Sequence, residues 1–143
     1  MGLDIDRLLN ALENENNELL LDLNKEKISA MKNDILQKLN IKNDKLKLFH
    51  KKLKLYRYVD NTEDINYGSF IRWISLKTPN DIKLTNGGIV CDMKTKDNSI
   101  YIICKNSLNR FFTLTLEENI IFQKLTPQEE VILSAMNYLN KKE

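Results

Sequence analysis

The sequence predicts an α+β chain: an N-terminal helical arm, a five-stranded SH3-like or Tudor-like antiparallel barrel, and a C-terminal capping helix. Three observations predict it. Between Tyr67 and Leu125, short apolar runs are separated by Asn, Asp, Gly and Ser clusters, the punctuation of small antiparallel strands. Upstream, apolar residues recur at spacings of three and four, the helical period. Downstream, Thr126-Pro127-Gln128-Glu129 supplies an N-cap hydroxyl, a proline at the first helical position and a glutamate three residues on, the pieces of a capping box.

A length of 143 residues suits one core with an appended arm, and a hydrophobic fraction of 42% is ordinary for a folded domain. No run approaches the roughly 18 consecutive apolar residues of a membrane span. Met1 to Asp6 carries two acids and no apolar signal core, so an intracellular, reducing setting is expected and Cys91 and Cys104 are read as free thiols. The excess of Lys, Asn and Ile looks like an AT-rich coding genome. A net charge of +2 predicts no partner, but the signs are segregated. Seven acids and two bases lie between Met1 and Glu26; seven bases and one acid lie between Lys42 and Tyr58.

Residues 1–41 read as an acidic amphipathic arm. Ile5, Leu8, Leu9, Leu12, Leu19, Leu20 and Leu23 share a stripe interrupted at Glu15 and Asn16, either a polar layer in one helix or a break between two. A second series, Ile28, Met31, Ile35 and Leu39, resumes with a shifted phase, which implies a kink or a separate helix. Such an arm docks on its own domain or self-associates through residues 1–40. Residues 42–58 read as a basic amphipathic helix, capped by Asn43 or Asp44, with Leu46, Phe49, Leu53 and Tyr56 inward and Lys45, Lys51, Lys52 and Arg57 outward. That face either contacts phosphate, complements the acidic arm, or is merely solvated.

Residues 67–143 read as the barrel and its helix. The strands are Phe70 to Leu76, Ile89 to Met93, Ile100 to Cys104, Phe111 to Leu116 and Ile120 to Leu125. A long connection holding Pro79 and Asn80 follows the first, and tight hairpins near Asn98, Ser107 to Asn109 and Glu117 to Asn119 join the rest. An OB-like barrel is the runner-up, but Ser107 to Asn109 is too short for its usual inserted helix. A two-residue turn at Asp97-Asn98, residue types that tolerate positive φ, pairs Met93 with Ile102 and Cys91 with Cys104. Asn86-Gly87-Gly88 reads as a turn, since no Lys-Ser/Thr or helix follows to make a phosphate loop.

No metal is expected, because two cysteines and the distant His50 do not make four ligands. No nucleophile, base and orienting group fall into a known spacing, so no enzyme and no cofactor are expected. The aromatics Tyr67, Phe70, Trp73, Tyr101, Phe111 and Phe112 divide between core and surface. Outward ones beside Arg72, Lys105 and Arg110 could stack bases or line a peptide groove.

The segments Tyr67-Gly68-Ser69-Phe70-Ile71-Arg72-Trp73-Ile74, Leu84 to Val90, Cys104-Lys105-Asn106, Arg110-Phe111-Phe112 and Ile121 to Leu125 resemble small, uncharacterised proteins of giant nucleocytoplasmic large DNA viruses. The resemblance spans roughly residues 39–139 and brings no catalytic residues. It implies a viral protein in the host cytoplasm, at the viral factory, or in the virion. Two functions follow as expectations. One is a nucleic-acid-binding accessory protein using Lys45, Lys51, Lys52, Lys54, Arg57, Arg72, Lys105 and Arg110. The other is a protein-interaction or virion-structural module, with a viral protein partner, that oligomerises through its N-terminal helices.

Overall fold

The computed structural model describes residues 5–13 and 24–142. In chain order the elements are α1 (Ile5–Glu13), α2 (Lys25–Gln37), α3 (Asn43–Lys52), β1 (Tyr56–Val59), a 3-10 turn (Thr62–Asp64), β2 (Phe70–Ser75), β3 (Gly88–Lys96), β4 (Ser99–Lys105), β5 (Phe111–Thr115), β6 (Asn119–Lys124) and α4 (Pro127–Lys142). The second apolar series does form a separate helix: Asn24 Oδ1 accepts from the Lys27 amide at 2.7 Å and starts α2. The interrupted stretch around Glu15 and Asn16 lies outside the described residues.

The α+β class holds, but the expected five-stranded barrel does not form. Six strands make one open antiparallel sheet in the order β1-β6-β2-β3-β4-β5. The extra strand comes from the end of the expected basic helix. That helix stops at Lys52, and Tyr56–Val59 pairs with β6, Tyr58 opposite Phe122 and Val59 opposite Ile121. The physical reason lies in Tyr-Arg-Tyr-Val, whose aromatic and β-branched residues fit a pleated surface better than a last helical turn. Once β1 takes one side of β6 and β2 the other, β1 and β5 are left as separate edges. The N-cap also moves: Lys42 precedes the first helical residue and makes no side-chain cap bond, so neither Asn43 nor Asp44 caps α3.

Pairing parity sorts the side chains onto two faces. Tyr56, Phe122, Ile120 and Ile74 point to one face, where Leu36 of α2, Phe49 of α3 and Leu53 just after it close a core that also takes Ile82 from the long loop. The opposite face buries Val59, Ile71, Val90, Ile102, Cys104, Leu114 and Ile121 together with Ile65. A third cluster joins Ile28 of α2 to Ile132 and Leu133 of α4. α1 packs on α4.

The expected hairpin is present. Asp97 and Asn98 adopt φ of 51° and 65°, and Met93 faces Ile102. The register fails at one point: a bulge at Cys91 pairs Val90, not Cys91, with Cys104. The inserted residue reverses the alternation, so Val90 joins Ile102 and Cys104 in the core and Cys91 is left exposed. The expected capping box closes as well. Glu129 Oε1 accepts from the Thr126 amide at 2.9 Å, and the Glu129 amide donates to Thr126 Oγ1 at 3.1 Å.

Candidate nucleic-acid interface

The eight cations singled out by the sequence occupy three places. Lys51 and Lys52 sit on the exposed side of α3, opposite Phe49 and Leu53, and Lys54 follows in the exposed turn after it. Lys45 is half-buried, its Nζ 5.8 Å above the Phe49 ring. Their position has a structural consequence too: His50, Lys51 and Lys52 fill the last turn of α3, where cations complement the helix dipole.

Arg57 is elsewhere. As a β1 residue it turns to the face away from α3, donates from a terminal guanidinium nitrogen to the Asp64 carbonyl at 3.2 Å, and meets Glu129 at 3.4 Å. Gln123, its neighbour across the β1–β6 pair, donates Nε2 to the same carbonyl at 2.9 Å and accepts from the Asn66 amide at 2.8 Å. Arg57 therefore anchors the segment between β1 and β2 inside the protein and does not share the lysine surface.

Arg72, Lys105 and Arg110 lie at the sheet. Arg72 projects on the helix-covered face and is half-buried, its Nε donating to the Thr85 carbonyl at 2.8 Å. Burial pushes the Tyr56 hydroxyl above its usual range and the nearby Arg72 guanidinium offsets part of that rise. Lys105 pairs with Ile89 on one side and Phe111 on the other, and Ile89 pairs with Phe70. Directly opposed residues share a face, so Phe70, Ile89, Lys105 and Phe111 form one row across β2, β3, β4 and β5. Phe70 packs into the core beneath α2 and α3. Beyond it Ile89 and Phe111 are exposed, Phe111 at 66%, and Lys105 Nζ stands 5.9 Å from the Phe111 ring. Among the described residues the helices thus cover the β1-β6-β2 half of this face and leave the β3-β4-β5 half open.

The same open half carries Tyr101 and Ile103 of β4, both half-buried, with exposed Lys94 and Thr113 as their neighbours. Of the aromatics named from sequence, Tyr67 and Phe112 are also exposed, whereas Trp73 packs on the opposite-face core. Exposed Arg110 ends the loop into β5, its amide bonded to Asn106 Oδ1 at 2.9 Å. Ile89 and Lys94 were not singled out by the sequence as site residues, whereas the hairpin register expected from the Asp97-Asn98 turn already puts Ile103 with Tyr101 on the face away from Cys104.

One further cation was missed. Lys32 of α2 is buried, and its Nζ donates to the Leu53 carbonyl at 2.8 Å, where α3 ends. Among the described residues no three His, Cys, Asp or Glu side chains gather into a metal-binding group, and no helix is long and apolar enough to cross a membrane. Comparison of the chain with protein-family models, curated proteins and solved structures gives no match.

Proposed function

We propose that this chain is a non-enzymatic viral accessory protein that binds single-stranded nucleic acid, with the open β3-β4-β5 face as the stacking platform and the lysines of α3 as the phosphate track. The observation that carries this reading is Phe111. A side chain of that size stays exposed on this sheet face, with Lys105 above its ring and Arg110 beside it in the chain. Bases stack on such rings whatever their sequence, while neighbouring cations hold the backbone. Both surfaces flank the same face of the sheet, because α3 covers the half that the platform leaves off.

Fluorescence anisotropy of a labelled single-stranded oligonucleotide, titrated with protein over a range of salt, tests it. Binding should weaken steeply with salt, with a log–log slope of about −0.7 for each phosphate neutralised. Binding indifferent to salt, or none at low salt, rejects the reading.

A second reading rests on α1. Ile5 and Leu9 are exposed on a helix that already packs on α4, which supports self-association of an interaction or virion-structural module. Light scattering of the full chain beside Ile5→Lys/Leu9→Lys separates the readings: a monomer in both rejects oligomerisation through α1.

A further inference from the structure

The cleft bounded by α2, the end of α3 and α4 has a volume of about 370 Å³, within the range of small-molecule sites. Its floor is apolar, made of Ile28, Leu125 and Leu133, with exposed Leu55 at its mouth. Its charged lining is mainly cationic among the described residues, Lys25, Lys32 and Lys54 against the carboxylate of Glu130, and Ser29, His50 and Ser134 complete its polar wall.

Lys32 is the unusual member. The residue is only 7% exposed, and among the described residues no carboxylate lies within ion-pair distance of its ammonium. Its partners are carbonyl oxygens, Leu53 at 2.8 Å and Lys54 at 3.5 Å. Burial pushes its pKa down. The partial negative charge at the end of α3 compensates some of the cost of burying this cation, but an ammonium has three donors and these carbonyls take two. If Lys32 served only to staple α2 to the end of α3, neither an apolar cavity beside it nor further lysines around the same space would be needed.

We propose that this cleft binds a small amphipathic anion, its carboxylate or phosphate head held by Lys32 and Lys54 and its hydrocarbon body laid on Ile28, Leu125 and Leu133. The combination selects the ligand class. An inorganic anion would leave the apolar floor wet, and a neutral hydrocarbon would leave the Lys32 ammonium with carbonyl oxygens as its only partners among the described residues. The site shares Lys54 with the lysine surface proposed for nucleic acid but does not depend on that reading, since Phe111, Lys105, Lys51 and Lys52 take no part in it.

Isothermal titration of the full chain with sodium decanoate and with decyl phosphate, both below their micellar concentrations, tests the proposal, with octyl glucoside and inorganic phosphate as the neutral and tail-less probes. At least one amphipathic anion should bind saturably with one site per chain, and the two heads together show whether carboxylate or phosphate is preferred. Lys32→Met should weaken binding by about tenfold or more, as expected for loss of a charged hydrogen-bond donor. Leu55→Asp, at an exposed position that leaves the core intact, should weaken it by a similar factor and serves if Lys32→Met does not fold. Absence of saturable binding by both anions overturns the proposal. So does equal binding of octyl glucoside or of inorganic phosphate, or binding unchanged in Leu55→Asp.

Discussion

Glu129 Oε2 lies 3.4 Å from Arg57 Nε, and both side chains are buried. The contact ties the first turn of α4 to β1, while the other carboxylate oxygen closes the capping box on Thr126. Neither of the two paired atoms has a hydrogen-bond partner, so the charges compensate each other directly. Removing one partner from such a pair costs about 3–5 kcal/mol, because the other is left buried and unpaired. Arg57→Met should therefore destabilise strongly in urea unfolding. Glu129→Gln, which keeps an acceptor for the Thr126 amide, should be less severe, and the double variant should lose less than the sum of the two. Additive losses would mean that the pair is not coupled. A loss of nucleic-acid binding in an Arg57 variant would report folding, not contact.

Two glycines with positive φ among the described residues predict different outcomes. Gly87 has φ of +90°, and a Cβ there would stand 2.2 Å from the Ile71 carbonyl oxygen. Gly68 has φ of +80° and open space around it. Left-handed backbone alone costs an L residue about 1–2 kcal/mol, so Gly68→Ala should lose about that much. Gly87→Ala adds a backbone overlap that only movement of β2 can relieve, and should lose more than about 4 kcal/mol or fail to fold. Equal losses in chemical denaturation would contradict the close approach.

Cys104 is fully buried beside Ile102 and Leu114, and burial, with the nearby Cys91 adding to it, pushes its thiol up to about 12. The folded pKa exceeds the unfolded value of about 8.5. The unfolded chain thus loses this proton first, and stability falls as pH rises above about 9, by up to about 1.4 kcal/mol per pH unit. Lys32, with a lowered pKa, acts in the opposite direction, and Tyr56 and Tyr58, pushed up by burial, add to the fall only at higher pH. Comparing the wild type with Cys104→Ala cancels those contributions, and the difference should shrink between pH 9 and 10. Iodoacetamide should label Cys91 alone in the native protein and both thiols in urea; two rapid native adducts would refute the burial.

What was legible in the sequence was set by short-range chemistry. The Asp97-Asn98 turn, the Thr126–Glu129 box and the polar breaks between strands each depend on a few adjacent residues, and each is found where the residue types put it. What was not legible depends on partners far along the chain. Tyr56–Val59 becomes a strand because β6 offers it a free edge 62 to 64 residues away at Ile121 and Phe122. Cys91 leaves the core because a single bulge reverses a parity that is otherwise regular. Arg57 looked like one of a set of seven bases and is separated from them by the facing of a strand. Lys32, on a helix whose sequence gives no sign of it, is explained only by the end of α3, 21 residues on.

Binding of a single strand, if it uses both surfaces, divides into parts that can be measured separately. Lys51→Glu/Lys52→Glu alters two exposed side chains at the end of α3, so the fold should hold while the salt slope shrinks by about 1.4, two phosphates' worth. Phe111→Ala removes a ring that touches Lys105 but no charge. It should leave the slope unchanged and weaken binding at every salt concentration by about 1–3 kcal/mol, the contribution of one stacked base. Phe112→Ala is the matched control: Phe112 pairs with Cys104 and so lies on the opposite face, and its loss should leave affinity as it was. Equal effects of Phe111→Ala and Phe112→Ala would place binding at the β5 edge, not on the open face. A slope reduced by Phe111→Ala would mean that the ring acts by positioning Lys105.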